Sequence, residues 1–497
     1  MAIDSSRLKR IHFVGIKGVA MTALAIYCKE KGIVVTGSDV EEEFPTKESL
    51  EKAGIVPLSG FSKEHILSFE KPDLVIFTGA HGGKDNIEVG VARDMGIEVM
   101  PHGRALGYFM DGSVQISVAG SHGKTTTTAM IATILSGAGR DPSYTVGCGD
   151  VRDLGLPGHF GKGSEFVSEA DEYSTDPTHD STPRFLWQHP DVMVVTNIDY
   201  DHPDAYSNLE EVQAAFLLLQ NQQKGVRVTV VNADDEKSTV LFNQTNSTVV
   251  SYGFSEKADY RPHNVRMKEG ETSFSCQLRG TDIGSFSLSI PGRFNIANAC
   301  GAIAATHALN VPWEDIRKGL QAFQGTKRRF EFIGKGDGIK VYDDYAHHPH
   351  EIEATLEGVR GWYPTSRIIT IFQPHTFSRT KALLTEFSVC FKNSDIILIP
   401  DIYASAREYE DLGMTSEVLV EAIAQHQKDV FSVKDLSGTL SYLKTNRQDG
   451  DIILCMGAGD IYGWGRKIIT MIQSDPCLPA GRNPTNQTNQ TNQTNEL

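Results

Sequence analysis

The chain is poor in the patterns that mark secreted and membrane proteins. Its seven cysteines among 497 residues are scattered and include no Cys-x-x-Cys pair, which favours a reducing cytosol over a disulfide framework or a zinc site. No apolar run approaches the length that spans a membrane, and the first ten residues lack the apolar core of a secretion signal. The sequence therefore predicts a cytoplasmic protein with no membrane insertion.

Positive charge is also scarce. Lys plus Arg number 47 against 63 Asp plus Glu, a net charge of −16, which disfavours non-specific binding to nucleic acid. Anionic ligands must then be bound by local basic sites. A chain of this length exceeds one hydrophobic core and predicts about three domains, but the sequence says nothing of the oligomeric state.

An apolar run, a glycine turn and a helical pattern follow one another from Ser113 to Leu135. This order directs backbone N–H groups and a helix N-terminus at one point, the arrangement that binds a polyphosphate. Lys124 would supply charge to the phosphates, and the Thr125 hydroxyl would reach Mg²⁺. We expect Lys124 on an exposed loop. The predicted nucleotide-binding residues of this turn are Gly120, His122, Gly123, Lys124, Thr125 and Thr126.

The N-terminal block reads as a βαβ unit with a glycine turn. A strand at 11–14 leads into Gly15 and Gly18, a helix covers 19–31, and a second strand ends at Asp39. Such a layout binds a nucleotide at the strand ends. A tight strand-to-helix turn without a ligand is the alternative interpretation, since the middle glycine of the dinucleotide motif is missing.

Two further strands of the middle block end in polar side chains. The first ends near Glu169, and the second is followed by Asp201, His202 and Asp204. Carboxylates at strand ends beside a phosphate-binding loop are typical Mg²⁺ ligands. We predict Glu169 and His202 as metal-site residues and interpret Asp204 as a solvated turn residue.

Polar residues at three other places are candidates with more than one interpretation. Asn295 opens a small-residue helix, where it is either an N-cap or a contact to a base. A metal site at His347 and His348 is disfavoured because adjacent side chains point apart, and contact with a carbonyl or phosphate is preferred. Arg379, after another strand, suits a carboxylate or caps the surface.

Seven motifs in this order resemble the Mur ligase family, from about Arg10 to Gln473. They are Ile11-His-Phe-Val-Gly-Ile, Gly120-Ser-His-Gly-Lys-Thr-Thr-Thr-Thr-Ala-Met, Ser168-Glu-Ala-Asp-Glu, Thr196-Asn-Ile-Asp-Tyr-Asp-His-Pro-Asp, Phe323-Gln-Gly-Thr-Lys-Arg-Arg-Phe-Glu, Tyr342-Asp-Asp-Tyr-Ala-His-His-Pro and Phe372-Gln-Pro-His-Thr-Phe-Ser-Arg-Thr-Lys. The ordered set is more specific than any single motif.

The resemblance implies an α/β protein of three domains. These are an N-terminal Rossmann-like domain for a UDP-sugar (1–112), a central P-loop ATPase with a mainly parallel sheet (113–325) and a C-terminal Rossmann-like domain (326–474). Residues 475–497, rich in Asn, Gln and Thr, are predicted to be a disordered tail.

The resemblance also implies the chemistry: ATP and Mg²⁺ drive the joining of L-alanine to UDP-N-acetylmuramate. It assigns catalytic roles to Lys124, Glu169, His202, His347 and Arg379, and metal binding to Thr125, Glu169 and His202. It assigns ATP contacts to Asn295, Arg329 and Asp344. The predicted substrate-binding residues are Gly15, Gly18, Asp39, Tyr345, His347 and Arg379.

Two departures from the family pattern leave alternatives open. Lys17 stands in a glycine loop that is usually richer in glycine, and extra residues, including 175–183, follow Glu172. A related ligase that joins a recycled tripeptide to the same UDP-sugar is therefore a second interpretation. A nicotinamide-dependent dehydrogenase and a non-catalytic nucleotide-binding regulator are more distant, because the first leaves the phosphate loop without a use and the second leaves the metal-site acids without one.

Overall fold

The computed structural model describes residues 8–474 except 69, 201–204, 225–226, 243–246, 405–409 and the side chains of 240–242. The chain divides into two compact units: one runs up to Glu331 and also contains Asp344–Thr365, and the other contains Phe332–Asp343 and the residues from Ser366 onward. Three large sheets and one two-stranded hairpin are present. Within the described ranges, none of the helices has the length and hydropathy needed to cross a bilayer.

The first sheet is parallel and has the strand order β3-β2-β1-β4-β5. Its strands are β1 (Arg10–Val14), β2 (Val34–Asp39), β3 (Leu58–Ser59), β4 (Leu74–Phe77) and β5 (Glu98–Pro101). Its helices are α1 (Val19–Glu30), α2 (Lys47–Lys52), α3 (Glu64–Leu67), α4 (Ile87–Asp94) and α5 (His102–Met110). The order reverses beside β1, which is where this fold class binds ligands.

The second sheet has ten strands in the order β17-β16-β15-β14-β13-β12-β6-β9-β7-β8. With the separate hairpin β10–β11, the strands are β6 (Val114–Ala119), β7 (Ser143–Thr145), β8 (Gly158–His159), β9 (Glu165–Ala170), β10 (Ser174–Asp176), β11 (Asp180–Pro183), β12 (Val192–Val195), β13 (Val228–Asn232), β14 (Thr248–Tyr252), β15 (Tyr260–Lys268), β16 (Glu271–Leu278) and β17 (Thr281–Leu288). The helices are α6 (Lys124–Gly137), α7 (Leu209–Asn221), α8 (Glu236–Phe242), α9 (Arg293–Ala308) and α10 (Trp313–Ala322).

Strands β9, β6 and β12 are parallel neighbours in this sheet, and their registers place Ala119 beside Ala170 and Val195. The strands are buried on both faces; β12 is apolar throughout, whereas β6 and β9 also bury polar side chains such as those of Gln115 and Ser168. Because the strands are parallel, their carboxyl ends meet at one edge of the sheet. The predicted phosphate-binding turn from Gly120 to Lys124, called the phosphate loop below, begins at this edge.

The third sheet has the order β18-β19-β23-β20-β21-β22. Its strands are β18 (Glu331–Gly336), β19 (Ile339–Asp344), β20 (Ile368–Phe372), β21 (Ile396–Pro400), β22 (Val430–Lys434) and β23 (Ile452–Met456). The remaining helices are α11 (Pro349–Trp362), α12 (Phe377–Ala382), α13 (Leu384–Val389), α14 (Ser416–Ala424), α15 (Leu436–Asn446) and α16 (Trp464–Ser474). Helix α11 belongs to the first compact unit, and its Trp362 Nε1 donates to Thr272 Oγ1 at 3.0 Å.

The predicted α/β class with three domains is confirmed in the arrangement of these sheets. The predicted strands before Gly15, Gly120 and Glu172 are present, with ends that differ by one or two residues. The exact domain boundaries stay predictions, and the predicted tail at 475–497 lies outside the described residues.

Candidate active site

Two glycines shape the phosphate loop between β6 and α6. Gly123 is the N-cap of α6 with φ of +83°, and Gly120 has φ of +133°, both in the region that side chains avoid. A Cβ on Gly120 would lie 2.0 Å from Thr196 Oγ1, and one on Gly123 would lie 2.7 Å from Asn298 Oδ1. At these two positions the loop therefore lies too close to its neighbours for any side chain. The backbone N–H groups of the loop lie at the start of a helix.

Lys124 is the first residue of α6, and its side chain is only 12% exposed. Its ammonium group lies 2.9 Å from Glu172 Oε2 and 4.0 Å from Asp171 Oδ1, and it donates to Gly120 O. Burial alone would lower the pKa of Lys124, but the two carboxylates raise it above its usual value. The expectation of an exposed loop residue was wrong, because the end of β9 brings acids over the loop.

Thr125 and Glu169 lie together beside the lysine. The Thr125 hydroxyl donates to Glu169 Oε2 at 3.1 Å, and the backbone N–H of Gly147 donates to the other oxygen of Glu169. Burial, assisted by the charge of Asp171, raises the pKa of Glu169 to about 7. A hydroxyl and a carboxylate oxygen at this distance form a donor set suited to a hard cation such as Mg²⁺.

A cavity of about 380 Å³ opens next to the loop within the first compact unit. Six of the residues predicted to contact the nucleotide line it, namely His122, Gly123, Thr126, Asn295, Arg329 and Asp344. Its wall also includes Phe254 and Phe294, with the Arg293 guanidinium 3.9 Å from the centre of the Phe254 ring. The cavity thus joins a phosphate-binding turn to an aromatic wall, the pairing that a nucleotide requires.

Asn295 lies inside the first turn of α9. Gly292 is the N-cap of that helix, so the N-cap interpretation of Asn295 was wrong. The side chain of Asn295 is buried, and its amide donates to Pro291 O at 2.7 Å. Asn298, one turn further on, lies on the same face and donates to Asn295 Oδ1 at 3.4 Å. Two amides therefore face the cavity.

The segment after β19 supplies the opposite wall. The Asp344 carboxylate accepts from the N–H groups of Phe330 and Ala346 at 2.7 and 2.8 Å, and burial raises its pKa. The Arg329 guanidinium lies 5.3 Å from the centre of the Tyr345 ring. These contacts hold Arg329 and Asp344 at the cavity.

The first sheet holds the predicted sugar-nucleotide residues at its carboxyl edge. Gly15 and Gly18 flank the turn from β1 to α1, and Gly18 is the N-cap of α1. Asp39, at the end of β2, accepts from the N–H groups of Lys17 and Val40 at 2.7 and 2.8 Å. The Asp39 carboxylate therefore holds the glycine turn in place. Binding of a sugar nucleotide at this turn stays a prediction.

Two other predicted residues lie outside the described part of the first compact unit. Arg379 lies in α12 of the second compact unit. His202 lies outside the described residues. The roles of both stay predictions, as do the assigned roles of the other site residues.

Comparison with known proteins identifies the family. The model of the Mur ligase middle domain matches residues 118–306, and the model of the Mur ligase family catalytic domain matches 10–113. The model of the Mur ligase glutamate ligase domain matches 328–459. A UDP-N-acetylmuramate–L-alanine ligase from Caldanaerobacter subterraneus subsp. tengcongensis is 40% identical over 94% of this chain and 99% of its own length. The chain belongs to the Mur ligase family.

Other Mur ligases are similar over the same extent. A UDP-N-acetylmuramate–L-alanine ligase from Desulfitobacterium hafniense is 39% identical over 92% of this chain and 99% of its own length. The crystal structure of the UDP-N-acetylmuramate–alanine ligase MurC from Thermotoga maritima has a TM-score of 0.77 at 27% identity, covering 94% of this chain and all of that one. A murein peptide ligase from Psychrobacter arcticus has a TM-score of 0.70 at 24% identity, covering 95% and 100%, and so shares the fold.

Residues 175–183, predicted to be additional to the family pattern, lie in the hairpin β10–β11. Asp176, in its first strand, accepts from the Lys84 N–H at 2.8 Å, and His179 Nε2 lies 2.9 Å from Asp85 Oδ2. The hairpin thus contacts the loop after β4 at the carboxyl edge of the first sheet.

Sequence reasoning missed one prominent residue, Glu351. It lies in the first turn of α11 and lines the cavity. Its position three residues after His348 matches a capping box, in which side chain and backbone at a helix start bond reciprocally. That pattern, followed by the helical run of 352–362, was the signal present in the sequence.

Proposed function

We propose that this Mur ligase joins L-alanine to the lactyl carboxylate of UDP-N-acetylmuramate, with ATP converted to ADP and phosphate through an acyl phosphate. The observation that carries the proposal is 40% identity, over nearly the whole of both chains, to a protein named for that reaction. The lysine-bearing phosphate loop and the 380 Å³ cavity beside it support the use of ATP.

The residues around the loop suit the two chemical steps. In the first, a carboxylate oxygen of the sugar attacks the γ-phosphorus of ATP, and Lys124 neutralises the charge that develops on the transferred group. In the second, the amine of L-alanine attacks the acyl carbon and phosphate leaves. Arg329 and Asp344 hold the nucleotide side of the cavity, while Tyr345, His347 and Arg379 are proposed to bind the amino acid.

The donor set at the end of β9 fits the metal. Thr125 and Glu169 present two oxygens within 3.1 Å of each other, and His202 is the third proposed member of the site. Mg²⁺, when bound, would neutralise phosphate charge and polarise the transferred group. We place the reaction in the cytoplasm and retain the domain boundaries 1–112, 113–325 and 326–474 as part of the proposal.

A substrate panel tests the proposal. The protein is incubated with UDP-N-acetylmuramate, ATP and Mg²⁺, and phosphate release is measured with L-alanine, L-serine, glycine and L-alanyl-γ-D-glutamyl-diaminopimelate. We expect the highest kcat/KM with L-alanine and weaker turnover with the two small neighbours, because one methyl group discriminates by only about 1–3 kcal/mol. A strong preference for the tripeptide would replace the alanine assignment by the recycling ligase, and inactivity with all four would reject both.

A further inference from the structure

Glu351 connects the phosphate loop to the segment after β19 through its two carboxylate oxygens. One oxygen, Oε1, lies 3.3 Å from His122 Nδ1 and 3.5 Å from Arg329 Nη1. The other, Oε2, lies 3.3 Å from His347 Nδ1. We infer that Glu351 is a positioning residue that holds His122 at the nucleotide cavity and His347 at the amino-acid side with a single carboxylate.

The Oε1 contacts act on the nucleotide half. His122 lies between the glycines of the phosphate loop. Its backbone N–H donates to Asn197 Oδ1 at 2.9 Å, which restrains the backbone at this position. Its ring lies 5.3 Å from the ring of His348. Both His122 and Arg329 line the cavity. Removing the negative charge at Oε1 would therefore weaken the contacts that hold the side chains of His122 and Arg329 at the cavity.

The Oε2 contacts act on the other half. The backbone N–H groups of His347 and His348 donate to Oε2 at 3.2 and 3.4 Å, which closes the capping box of α11. His347 Nδ1 faces Oε2 and also Tyr345 O at 3.0 Å, so both neighbours of Nδ1 are acceptors. Two acceptors beside Nδ1 favour a proton on that nitrogen.

Charge complementarity explains why the carboxylate suits this buried position. Burial alone would raise the pKa of Glu351, but His347, His122 and Arg329 hold it well below its usual range. Every neighbour described above presents a donor to one of the two oxygens. A glutamine at this place would have to turn its NH₂ group toward donors on one side, which breaks contacts without creating a cavity.

The orientation of the amide in Glu351→Gln can be predicted from these contacts. Oε2 accepts from two backbone N–H groups that cannot move away, so the amide oxygen of Glu351→Gln should stay there. The NH₂ group would then face His122 and Arg329. We expect the Kd for ADP and the KM for ATP to rise about 10- to 100-fold, the range for a lost hydrogen bond to a charged group, while the KM for UDP-N-acetylmuramate stays within about twofold. Glu357→Gln, on the exposed side of α11, is the matched control and should change neither.

A thermodynamic cycle separates positioning from a merely structural role. His122→Asn and His347→Asn should have non-additive effects on kcat/KM when Glu351 is present and additive effects in the Glu351→Gln background. Additivity in the presence of Glu351, or an unchanged Kd for ADP in Glu351→Gln, would overturn the inference. If Glu351→Gln fails to fold, the two histidine variants and their double variant decide alone.

The inference rests on the proposed function, but the two fail separately. ADP binding, measured by calorimetry, needs no turnover and tests the Oε1 contacts directly. Wild-type protein that releases no phosphate with any amine would reject the proposed function. Wild-type turnover with L-alanine, together with additive histidine variants, would reject the role of Glu351 alone.

Discussion

At the scale of single residues, Lys124 combines a structural ion pair with a proposed role in phosphate binding. Its ammonium group pairs with Glu172, whose side chain is only 2% exposed, and it also faces the phosphates in the proposed reaction. Removing one partner of a buried pair leaves the other charge without compensation, which costs far more than losing an exposed pair. We therefore expect the lysine to contribute to stability as well as to the proposed reaction.

Replacing Lys124 separates the two roles. Lys124→Ala should lower kcat about 100- to 1000-fold, as expected for the loss of one preorganised charge in phosphoryl transfer. It should also lower the free energy of unfolding by up to about 3–5 kcal/mol. Thermal denaturation and phosphate release measure both effects.

The double variant Lys124→Ala with Glu172→Gln is the control for this experiment. It removes the uncompensated carboxylate, so stability should return while activity stays low. An unchanged unfolding temperature in Lys124→Ala would mean that the pair carries no stability. Near wild-type turnover in a folded variant would reject the phosphate-loop assignment.

At the scale of elements, α5 meets the 3-10 helix Arg184–Trp187 without space between them. A Cβ added to Gly107 would lie 2.0 Å from the carbonyl oxygen of Trp187, and backbone atoms cannot rotate away as a side chain would. This contact joins the first sheet region to the chain that follows the hairpin β10–β11. The two glycines of α5 are thus explained by packing, not by a ligand.

One substitution at two helical sites should have opposite effects. Gly107→Ala should lower the free energy of unfolding by about 1–3 kcal/mol, because overpacking forces the two elements apart. Gly90→Ala, inside α4 with no atom within 4 Å of the new methyl group, should raise it by up to about 1 kcal/mol through helix propensity. Equal unfolding temperatures for the two variants would refute the close contact at Gly107.

His159 in β8 joins two other elements through ion pairs. Its Nδ1 lies 2.6 Å from Glu30 Oε2 at the end of α1, and its Nε2 lies 3.1 Å from Asp141 Oδ1. The hydrogen bond from His159 to the carboxylate of Glu30 raises the pKa of His159 above 6.5, against the effect of burial. Burial alone would raise the pKa of Glu30, but His159 lowers it below 4.5.

These shifts fix the pH range in which the pair stabilises the fold. The contribution of His159 is complete below about pH 6.5 and disappears as the pH rises through its raised pKa, while that of Glu30 disappears as the pH falls below about 4.5. The unfolding temperature of wild type should exceed that of His159→Gln by about 1–2 °C near pH 5–6, and less above pH 8. The exposed His426→Gln should give no such pH-dependent difference. A difference for His159→Gln that is constant with pH would contradict this assignment.

At the scale of the whole molecule, local patterns predicted the strands and turns well. Short, partly apolar segments followed by glycine or acid mark β1, β6 and β9, because parallel strands inside a covered sheet are mostly buried. The burial of Lys124 was not predictable in this way. It depends on the parallel pairing of β6 with β9, in which Val114 lies beside Glu165, 51 positions later in the chain.

The site was predicted in part for the same reason. Residues such as Lys124, Thr125 and Asn295 are recognisable as candidates because their proposed roles depend on a local turn. Glu351 was missed because its importance comes from His122, more than 200 residues earlier in the chain. A sequence without its contacts shows only the helix start at which Glu351 lies.

The tail gives a prediction for the whole chain. Ending the protein after Ser474 should change neither the unfolding temperature nor the rate of ligation, because the Asn-, Gln- and Thr-rich repeats have little apolar surface to bury. Calorimetry and phosphate release on the shortened and full-length proteins provide the measurement. A clear loss of either would mean that the tail packs against the rest of the protein.

The acids beside the phosphate loop have a consequence for how the nucleotide arrives. The ammonium group of Lys124 faces three carboxyl groups, those of Glu169, Asp171 and Glu172. A triphosphate that enters alone carries charge of the same sign into a site with little water, where repulsion is strong. In the proposed reaction, the nucleotide should therefore enter together with a divalent cation that compensates part of its charge, and it should bind more weakly without that cation.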